Sequence, residues 1–201
     1  MDLINVASFV IGILGLVGTL FFGLKSRQLV EKIRKFDWND IEAGVKYLNR
    51  KVESKFKPDI IVTTSAGSAS IVASLFVSNM DKFIPFYCGI SKRIDEDFTC
   101  EPKFEKFYTT SRWKTYIPDE VFQYHDARIL IIDDVTLSGD SLAQLIILMV
   151  KNGVKRENIY SVSLFATDIS ITANRAPDLY WYHISDTHFY FPWGKSTGKG
   201  Y

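Results

Sequence analysis

Short apolar runs predict the strands of this chain. Residues 60–63 and 129–132 are almost continuously apolar, and residues 159–165 are apolar apart from Ser161 and Ser163. Such runs are the pattern of strands buried on both faces of a parallel sheet. A further strand is predicted at residues 84–91, and aromatic-rich strands are predicted near the C-terminus.

Helical spacing of apolar residues appears between these runs. It predicts three helices. The first spans residues 41–52 and is preceded by capping residues within 37–40, the second begins at about Ser70, and the third spans residues 142–151. Gly153 follows the last of these helices, where a glycine commonly ends one. Because strands alternate with helices, we expect an α/β domain whose mostly parallel sheet is flanked by helices.

The beginning of the chain has a different pattern. Residues 3–24 contain no charged side chain, and Asn5 is their only strongly polar one. As a helix this stretch is about 33 Å long, enough to cross a hydrocarbon core of about 30 Å. Five basic residues follow within 25–35, so the positive-inside rule places the rest of the chain in the cytoplasm. We therefore predict a single-pass membrane anchor at 1–24; a cleaved signal peptide and a buried core helix are the alternatives.

The predicted anchor also suggests partners. Gly15, Thr19 and Gly23 recur every four residues and share one helix face, which would let two such helices approach closely and form a homo-oligomer. The alternative is that glycine is simply common in membrane helices. The basic residues that follow suit anionic headgroups, so membrane lipid is a predicted partner.

Composition fits one globular domain in addition to the anchor. We divide the chain into the anchor, juxtamembrane and N-terminal helices at 25–57, and one α/β domain at 58–201. The formal net charge of +1 gives no reason to expect a nucleic-acid partner. Cys88 and Cys100 form neither a metal-ligand pattern nor a disulfide framework.

The richest chemical pattern follows the apolar run at 129–132. Asp133 and Asp134 come directly after it, and a hydroxyl-rich turn then leads into the next helix. Ligands of α/β sheets bind at the carboxyl ends of strands, and free N–H groups at a helix start favour an anion. The carboxylates suit sugar hydroxyls and a hard cation such as Mg²⁺. The pattern therefore indicates a phosphorylated sugar. Its hydroxyls would face the two acids, and its phosphate would be held by Thr136, Leu137, Ser138, Gly139, Asp140 and Ser141.

The segment from Asp133 to Ser141 resembles the signature of the type I phosphoribosyltransferases: a hydrophobic strand, two acids, and then Thr/Ser-Gly-x-Thr/Ser. The alternative is a buried strand that ends in a solvated acidic turn. The resemblance implies the type I fold, Mg²⁺ as cofactor, and phosphoribosyl pyrophosphate (PRPP) or a nucleoside monophosphate as ligand. It also implies that Asp133 and Asp134 are the catalytic and metal-binding acids and that residues 136–141 hold the 5′-phosphate.

Three more segments resemble the pyrophosphate site and hood of this family. After the strand at 60–63 comes a small-residue turn that in the family binds pyrophosphate through backbone amides; here it is Ser65, Ala66, Gly67 and Ser68. A basic residue at the end of the next strand has the same role, which points to Lys92 and Arg93, although an ordinary solvated loop is the alternative. Residues 95–124 resemble the mobile hood that closes over PRPP.

The C-terminal segment resembles the tail of the xanthine and hypoxanthine-guanine enzymes of this family. In those enzymes an aromatic residue stacks on the purine shortly before a Phe-Pro-Trp segment, which here lies at 191–193. His188 and Phe189 are therefore predicted to contact the base.

Four positions depart from the purine-specific pattern. Leu137 stands where those enzymes carry an acid, Ala66 where they usually carry a basic residue, His188 where tryptophan is frequent, and Gly194 where an acid closes the Phe-Pro-Trp segment. Leucine can neither contact the purine edge as an acid does nor move its proton. Two functions stay open: a transferase with a changed acceptor, and a non-catalytic sensor or membrane effector that binds a nucleotide or PRPP.

Overall fold

The computed structural model describes residues 34–96, 102–185 and 189–195. These residues belong to two compact units. The larger unit contains the described residues from 37 to 185, and the smaller unit contains residues 34–36 together with 189–195.

Strands and helices alternate along the larger unit. The strands, numbered along the whole described chain, are β1 (Arg34–Lys35), β2 (Ile60–Thr63), β3 (Phe86–Cys88), β4 (Ile90–Arg93), β5 (Lys106–Thr109), β6 (Trp113–Ile117), β7 (Ile129–Thr136), β8 (Ile159–Thr167), β9 (Leu179–Ile184), β10 (Phe189–Phe191) and β11 (Gly194–Lys195). The α-helices are α1 (Trp38–Lys55), α2 (Ser68–Ser78), α3 (Asp140–Lys151) and α4 (Asp168–Thr172), and 3₁₀ turns lie at Asp119–Gln123 and Arg156–Asn158.

A five-stranded parallel sheet forms the centre of this unit, in the order β3-β2-β7-β8-β9. Its central strands are apolar because both faces are covered. On one face Ile129 and Ile131 of β7 pack with Leu142 and Leu145 of α3, while α1 packs on β8 and β9. The predicted α/β fold with a mostly parallel sheet is therefore confirmed.

Helix α1 begins within the predicted capping residues. Asp37 caps α1 by accepting a hydrogen bond from the N–H of Asp40, and the Asp40 carboxylate accepts from the N–H of Asp37 in return. This reciprocal pair satisfies two N–H groups that have no partner within the helix. The apolar side of α1 then lies against the sheet, with Ile41, Val45 and Leu48 fully buried.

The strand predicted over residues 84–91 is wrong in extent, because the chain changes sheets at Gly89. β3 ends at Cys88 in the parallel sheet, and β4 begins at Ile90 in a separate antiparallel sheet of order β4-β6-β5. A Cβ atom on Gly89 would lie 3.0 Å from the carbonyl oxygen of Thr63, so a side chain has little room at this crossing. The hydrophobic run continues through the crossing, which is why periodicity alone does not reveal it.

The smaller unit is a short three-stranded sheet in the order β1-β10-β11. Its rings pack on one another: Phe191 lies 6.0 Å from Phe36, 4.9 Å from Phe189 and 5.0 Å from Trp193, measured between ring centroids. The aromatic C-terminal segment thus contains a strand, as its composition predicts.

Within the part of the chain that the structure describes, no helix is long and apolar enough to cross a membrane. The predicted anchor at residues 1–24, and the small residues Gly15, Thr19 and Gly23 within it, lie outside the described residues. The anchor stays a prediction.

Candidate functional site

Two parallel strands bring the sequence motifs to one edge of the sheet. β2 and β7 are neighbours, with Thr63 opposite Ile132, so their carboxyl ends lie side by side. β2 leads into helix α2 and β7 leads into helix α3. Both helices therefore begin at this edge, and the free N–H groups at their first turns favour a negatively charged ligand.

The two acids lie within β7 itself, which extends beyond the apolar run to Thr136. Asp133 is buried and Asp134 is half-buried. The Thr64 hydroxyl donates a 2.7 Å hydrogen bond to the Asp133 carboxylate, and the backbone N–H of Asp134 donates to the same oxygen at 3.1 Å. Thr64 thus joins the end of β2 to the acid on β7.

Burial raises the pKa of both acids, so ionising the two together is unfavourable. Burial raises the pKa of Asp133 well above its ordinary value, the charge of Asp134 raises it further, and the Thr64 hydrogen bond lowers it. Burial also raises the pKa of Asp134, while the nearby Ser68 hydroxyl lowers it. Such a pair gains from a cation or from donor hydroxyls, because either stabilises the charged form.

Residues 136–141, which are predicted to hold the 5′-phosphate and are called the phosphate loop below, turn sharply between β7 and α3. Gly139 adopts the left-handed conformation (φ +75°) directly before the helix. A Cβ atom there would lie 2.2 Å from the carbonyl oxygen of Arg175, so only glycine fits. The Ser138 hydroxyl donates to the Asp140 carboxylate at 3.1 Å and accepts from the Asp140 N–H at 3.3 Å. Ser141 follows in the first turn of α3.

The backbone of Leu137 ties this loop to the next strand, β8. The Thr167 hydroxyl of β8 donates to the backbone carbonyl of Leu137. The Thr136 hydroxyl is buried and, among the described residues, has no hydrogen-bond partner. The backbone of Leu137 is therefore fixed by β8.

The predicted pyrophosphate turn, residues 65–68, lies between β2 and α2. Gly67 precedes α2, and no charged side chain lies in the first turn of that helix. The Ser70 hydroxyl donates to the carbonyls of Ala66 and Gly67 at 2.9 and 2.7 Å, so the turn is held by its own helix. Ser65 and Ser68 complete the turn, and Ser68 lies next to Asp134.

Lys92 and Arg93 lie on opposite faces of the antiparallel sheet, since neighbouring residues of a strand alternate. Arg93 shares its face with Ser91, whose hydroxyl reaches the carbonyl of Thr64 at 3.4 Å. Its guanidinium pairs with Asp95 at 3.0 Å. Lys92 is directly opposite Lys114 on the other face. Of the two predicted basic residues, Arg93 is on the face that meets the site.

The predicted base-contacting residues, His188 and Phe189, belong to the C-terminal segment. His188 lies outside the described residues. Phe189 is a buried residue of β10 in the smaller unit, where its ring packs on Phe191. Both assignments stay predictions.

Three residues at this edge carry no sequence signal and emerge from the tertiary structure. Thr64 binds Asp133, as described above. Tyr108 of β5 is buried, its hydroxyl donates to the Thr64 carbonyl at 3.3 Å, and burial raises its pKa to about 12. Arg175 reaches the phosphate loop from the segment after α4 and pairs with Asp140. The signature of the loop contains none of these positions.

The residues of this edge fit a magnesium ion. Among the described residues no group of three or more His, Cys, Asp or Glu side chains could hold a metal. Mg²⁺ needs fewer in nucleotide sites, where one or two carboxylates join substrate phosphates and water around it. Asp133 and Asp134 supply two hard oxygen donors whose charged forms gain from a cation.

No protein-family model and no curated protein matches this chain significantly. Solved structures do match. A purine phosphoribosyltransferase from Pyrococcus horikoshii is 21% identical with a TM-score of 0.58, and the match covers 81% of this chain and 93% of that one. A hypothetical protein from Neisseria gonorrhoeae with bound ppGpp is 15% identical with a TM-score of 0.59, covering 80% and 89%.

A xanthine-guanine-hypoxanthine phosphoribosyltransferase from Helicobacter pylori is 20% identical with a TM-score of 0.53, and covers 80% of this chain and 93% of its own. At these identities the likeness concerns the fold. Together with the parallel sheet and the loop between β7 and α3, it shows that the chain has the fold of the type I phosphoribosyltransferases.

Proposed function

We propose that this protein binds PRPP or a nucleoside 5′-monophosphate with Mg²⁺ at the carboxyl edge of its parallel sheet, and transfers the phosphoribosyl group to a nucleobase. One observation carries the proposal: Asp133 and Asp134 lead directly into a tight glycine turn and the first turn of α3. Acids that suit ribose hydroxyls therefore stand beside amides that suit the 5′-phosphate.

Each part of the ligand has its own binding groups in the proposed site. The 5′-phosphate accepts hydrogen bonds from the backbone N–H groups of the phosphate loop and from the hydroxyls of Ser138 and Ser141. The ribose hydroxyls donate to Asp133 and Asp134, which also hold the cation. The pyrophosphate accepts hydrogen bonds from the backbone amides of the turn at 65–68. The cation, when bound, compensates the charge of the departing pyrophosphate.

Transfer in this arrangement is a displacement at the anomeric carbon. A ring nitrogen of the base forms a bond to that carbon, the bond to the pyrophosphate oxygen breaks, pyrophosphate leaves, and the base loses its proton to solvent or a nearby group. Positive charge develops on the ribose on the way, and the carboxylates of Asp133 and Asp134 stabilise it.

A second candidate is a sensor that binds the same ligands without turnover. Two residues favour it: Leu137 offers no proton acceptor to a purine, and Ala66 offers no charge to pyrophosphate. The solved structure of similar fold that contains ppGpp also supports nucleotide binding by this fold, so ppGpp belongs among the ligands to test.

The proposal includes attachment to a membrane through residues 1–24, with the α/β domain on the cytoplasmic side. Its support is the uncharged stretch at 3–24 and the basic residues that follow it. A signalling role for a sensor would then act through this anchor, and small residues along it would allow self-association.

The decisive experiment incubates the chain with Mg²⁺-PRPP and a panel of nucleobases and measures released pyrophosphate. Ligand binding is measured in parallel by thermal shift with PRPP, GMP and ppGpp. The matched control is Asp133→Asn with Asp134→Asn, which removes both charges at nearly constant shape. Base-dependent release in wild type alone supports the transferase. Binding without release supports the sensor, and equal stabilisation of both proteins contradicts the proposed site.

A further inference from the structure

The phosphate loop is contacted by a segment that no part of the proposed function uses. The chain between α4 and β9 folds back over Gly139, whose missing side chain leaves room for the carbonyl and Cβ of Arg175. The N–H of Arg175 donates to the Ser170 carbonyl at 2.8 Å, and Asn174 before it is left-handed (φ 54°). The backbone of Arg175 is therefore held in place beside the loop.

The side chain of Arg175 points to the same place. Its guanidinium pairs with the Asp140 carboxylate in the first turn of α3, and the other Asp140 oxygen accepts from Ser138. Both partners stay about half exposed, at 51% for Arg175 and 42% for Asp140. A carboxylate thus occupies the helix start at which the 5′-phosphate is proposed to bind, and a cation stands beside it.

A phosphate dianion at this helix start would face the charge of Asp140. It would also have a planar guanidinium within reach, and phosphate is a better bidentate partner for arginine than one carboxylate oxygen. We propose that Arg175 is a phosphate-binding residue of this site, and that Asp140 is its counter-ion in the absence of ligand. The inference rests on the proposed function, since it names one more residue for the same phosphate.

The geometry distinguishes this role from a merely structural one. If Arg175 only held the loop, the Arg175–Asp140 ion pair would be its contribution, and removing either partner would weaken ligand binding alike. If Arg175 binds the phosphate, the two partners act in opposite directions. Loss of Arg175 removes an attraction, while loss of the Asp140 charge removes a repulsion and releases the guanidinium.

The test measures GMP affinity of the full chain in detergent by calorimetry, with Mg²⁺ present. Arg175→Ala keeps the Cβ atom and backbone that pack on Gly139, and is expected to weaken GMP binding about tenfold, the lower end for a charged hydrogen bond because the site is half exposed. Arg175→Lys should recover part of that loss. Asp140→Asn keeps the backbone N–H and should tighten GMP binding severalfold.

The control is Arg50→Ala, which removes one exposed arginine from α1 and should not change GMP affinity. Wild-type affinity in Arg175→Ala overturns the inference, as does weakening by Asp140→Asn equal to that by Arg175→Ala. In both cases the proposed function stands, since wild type still binds GMP and the Asp133→Asn, Asp134→Asn variant does not. No binding of GMP or PRPP by wild type overturns the proposed function and this inference with it.

Discussion

Removing the hydroxyl of Thr64 tests the electrostatic account of the site most directly. Thr64 is buried and donates a 2.7 Å hydrogen bond to Asp133. Thr64→Val keeps the shape of the side chain and leaves the buried acid without that donor. A hydrogen bond to a charged group contributes about 1.5–3 kcal/mol, so the free energy of unfolding should fall by that amount. For a chain of this size the melting temperature should fall by about 3–12 °C.

The adjacent residue provides a matched control. Thr63 is also buried, but its hydroxyl donates to the neutral carbonyl of Ser65 at 2.7 Å. Thr63→Val should therefore cost only about 0.5–1.5 kcal/mol. Both variants remove one hydroxyl from the end of β2, and they differ in the charge of the acceptor.

The pH dependence of the loss of stability distinguishes Thr64→Val from Thr63→Val. The Thr64 hydrogen bond lowers the pKa of Asp133, which burial and Asp134 raise. In Thr64→Val that pKa is higher still, so the destabilisation is largest where Asp133 is ionised and shrinks as pH falls through the pKa. The assay is thermal or urea unfolding of the ligand-free protein between about pH 5 and 9. A Thr64→Val effect that does not change with pH, or the same pH profile for Thr63→Val, would refute the reasoning.

Three further predictions concern the acceptor, the loop and the anchor. Leu137→Asp should raise pyrophosphate release with hypoxanthine, guanine or xanthine, since a positioned acid or base contributes about 10²–10⁴-fold; brisk turnover of these purines by wild type would contradict the degenerate base site. Gly139→Ala should destabilise the protein by about 1–3 kcal/mol in urea unfolding, because its φ of +75° and the Arg175 carbonyl leave no place for Cβ; an unchanged midpoint would contradict this geometry. The full chain should stay in the membrane pellet after carbonate extraction, while a chain beginning at Phe36 should be soluble. Recovery of the full chain in the supernatant would contradict the predicted anchor.

Local features of the fold can be predicted from the sequence because short windows encode them. The apolar run at 60–63 coincides with β2, and the capping residues Asp37 and Asp40 start α1 as predicted. The phosphate loop is equally local: its acids, glycine and serines lie within one strand-turn-helix, so their order along the chain largely sets their arrangement in space.

Elements without a local marker are less predictable. The apolar pattern at 84–91 predicts one strand, whereas the chain divides it between two sheets at Gly89. A two-residue periodicity is the same in either sheet, so it cannot report which partner strand each half pairs with. The same is true of residues 95–124, the segment that resembles the hood. Its strands β5 and β6 pair antiparallel in the structure, and the sequence pattern does not show which strand each one pairs with.

By itself, the sequence of this protein determined the α/β pattern, the capped start of α1 and the acidic loop between β7 and α3, because backbone propensity, capping and turn chemistry act over a few residues. Only the tertiary structure decided what surrounds the loop. Thr64 meets Asp133 across 69 positions of sequence, and Arg175 meets Asp140 across 35. Such contacts depend on strand register and on packing between distant segments. Neither segment of a contacting pair has a periodic sequence pattern that reveals the contact. The burial that raises the pKa of Asp133 and the Thr64 hydrogen bond that lowers it are both products of this packing.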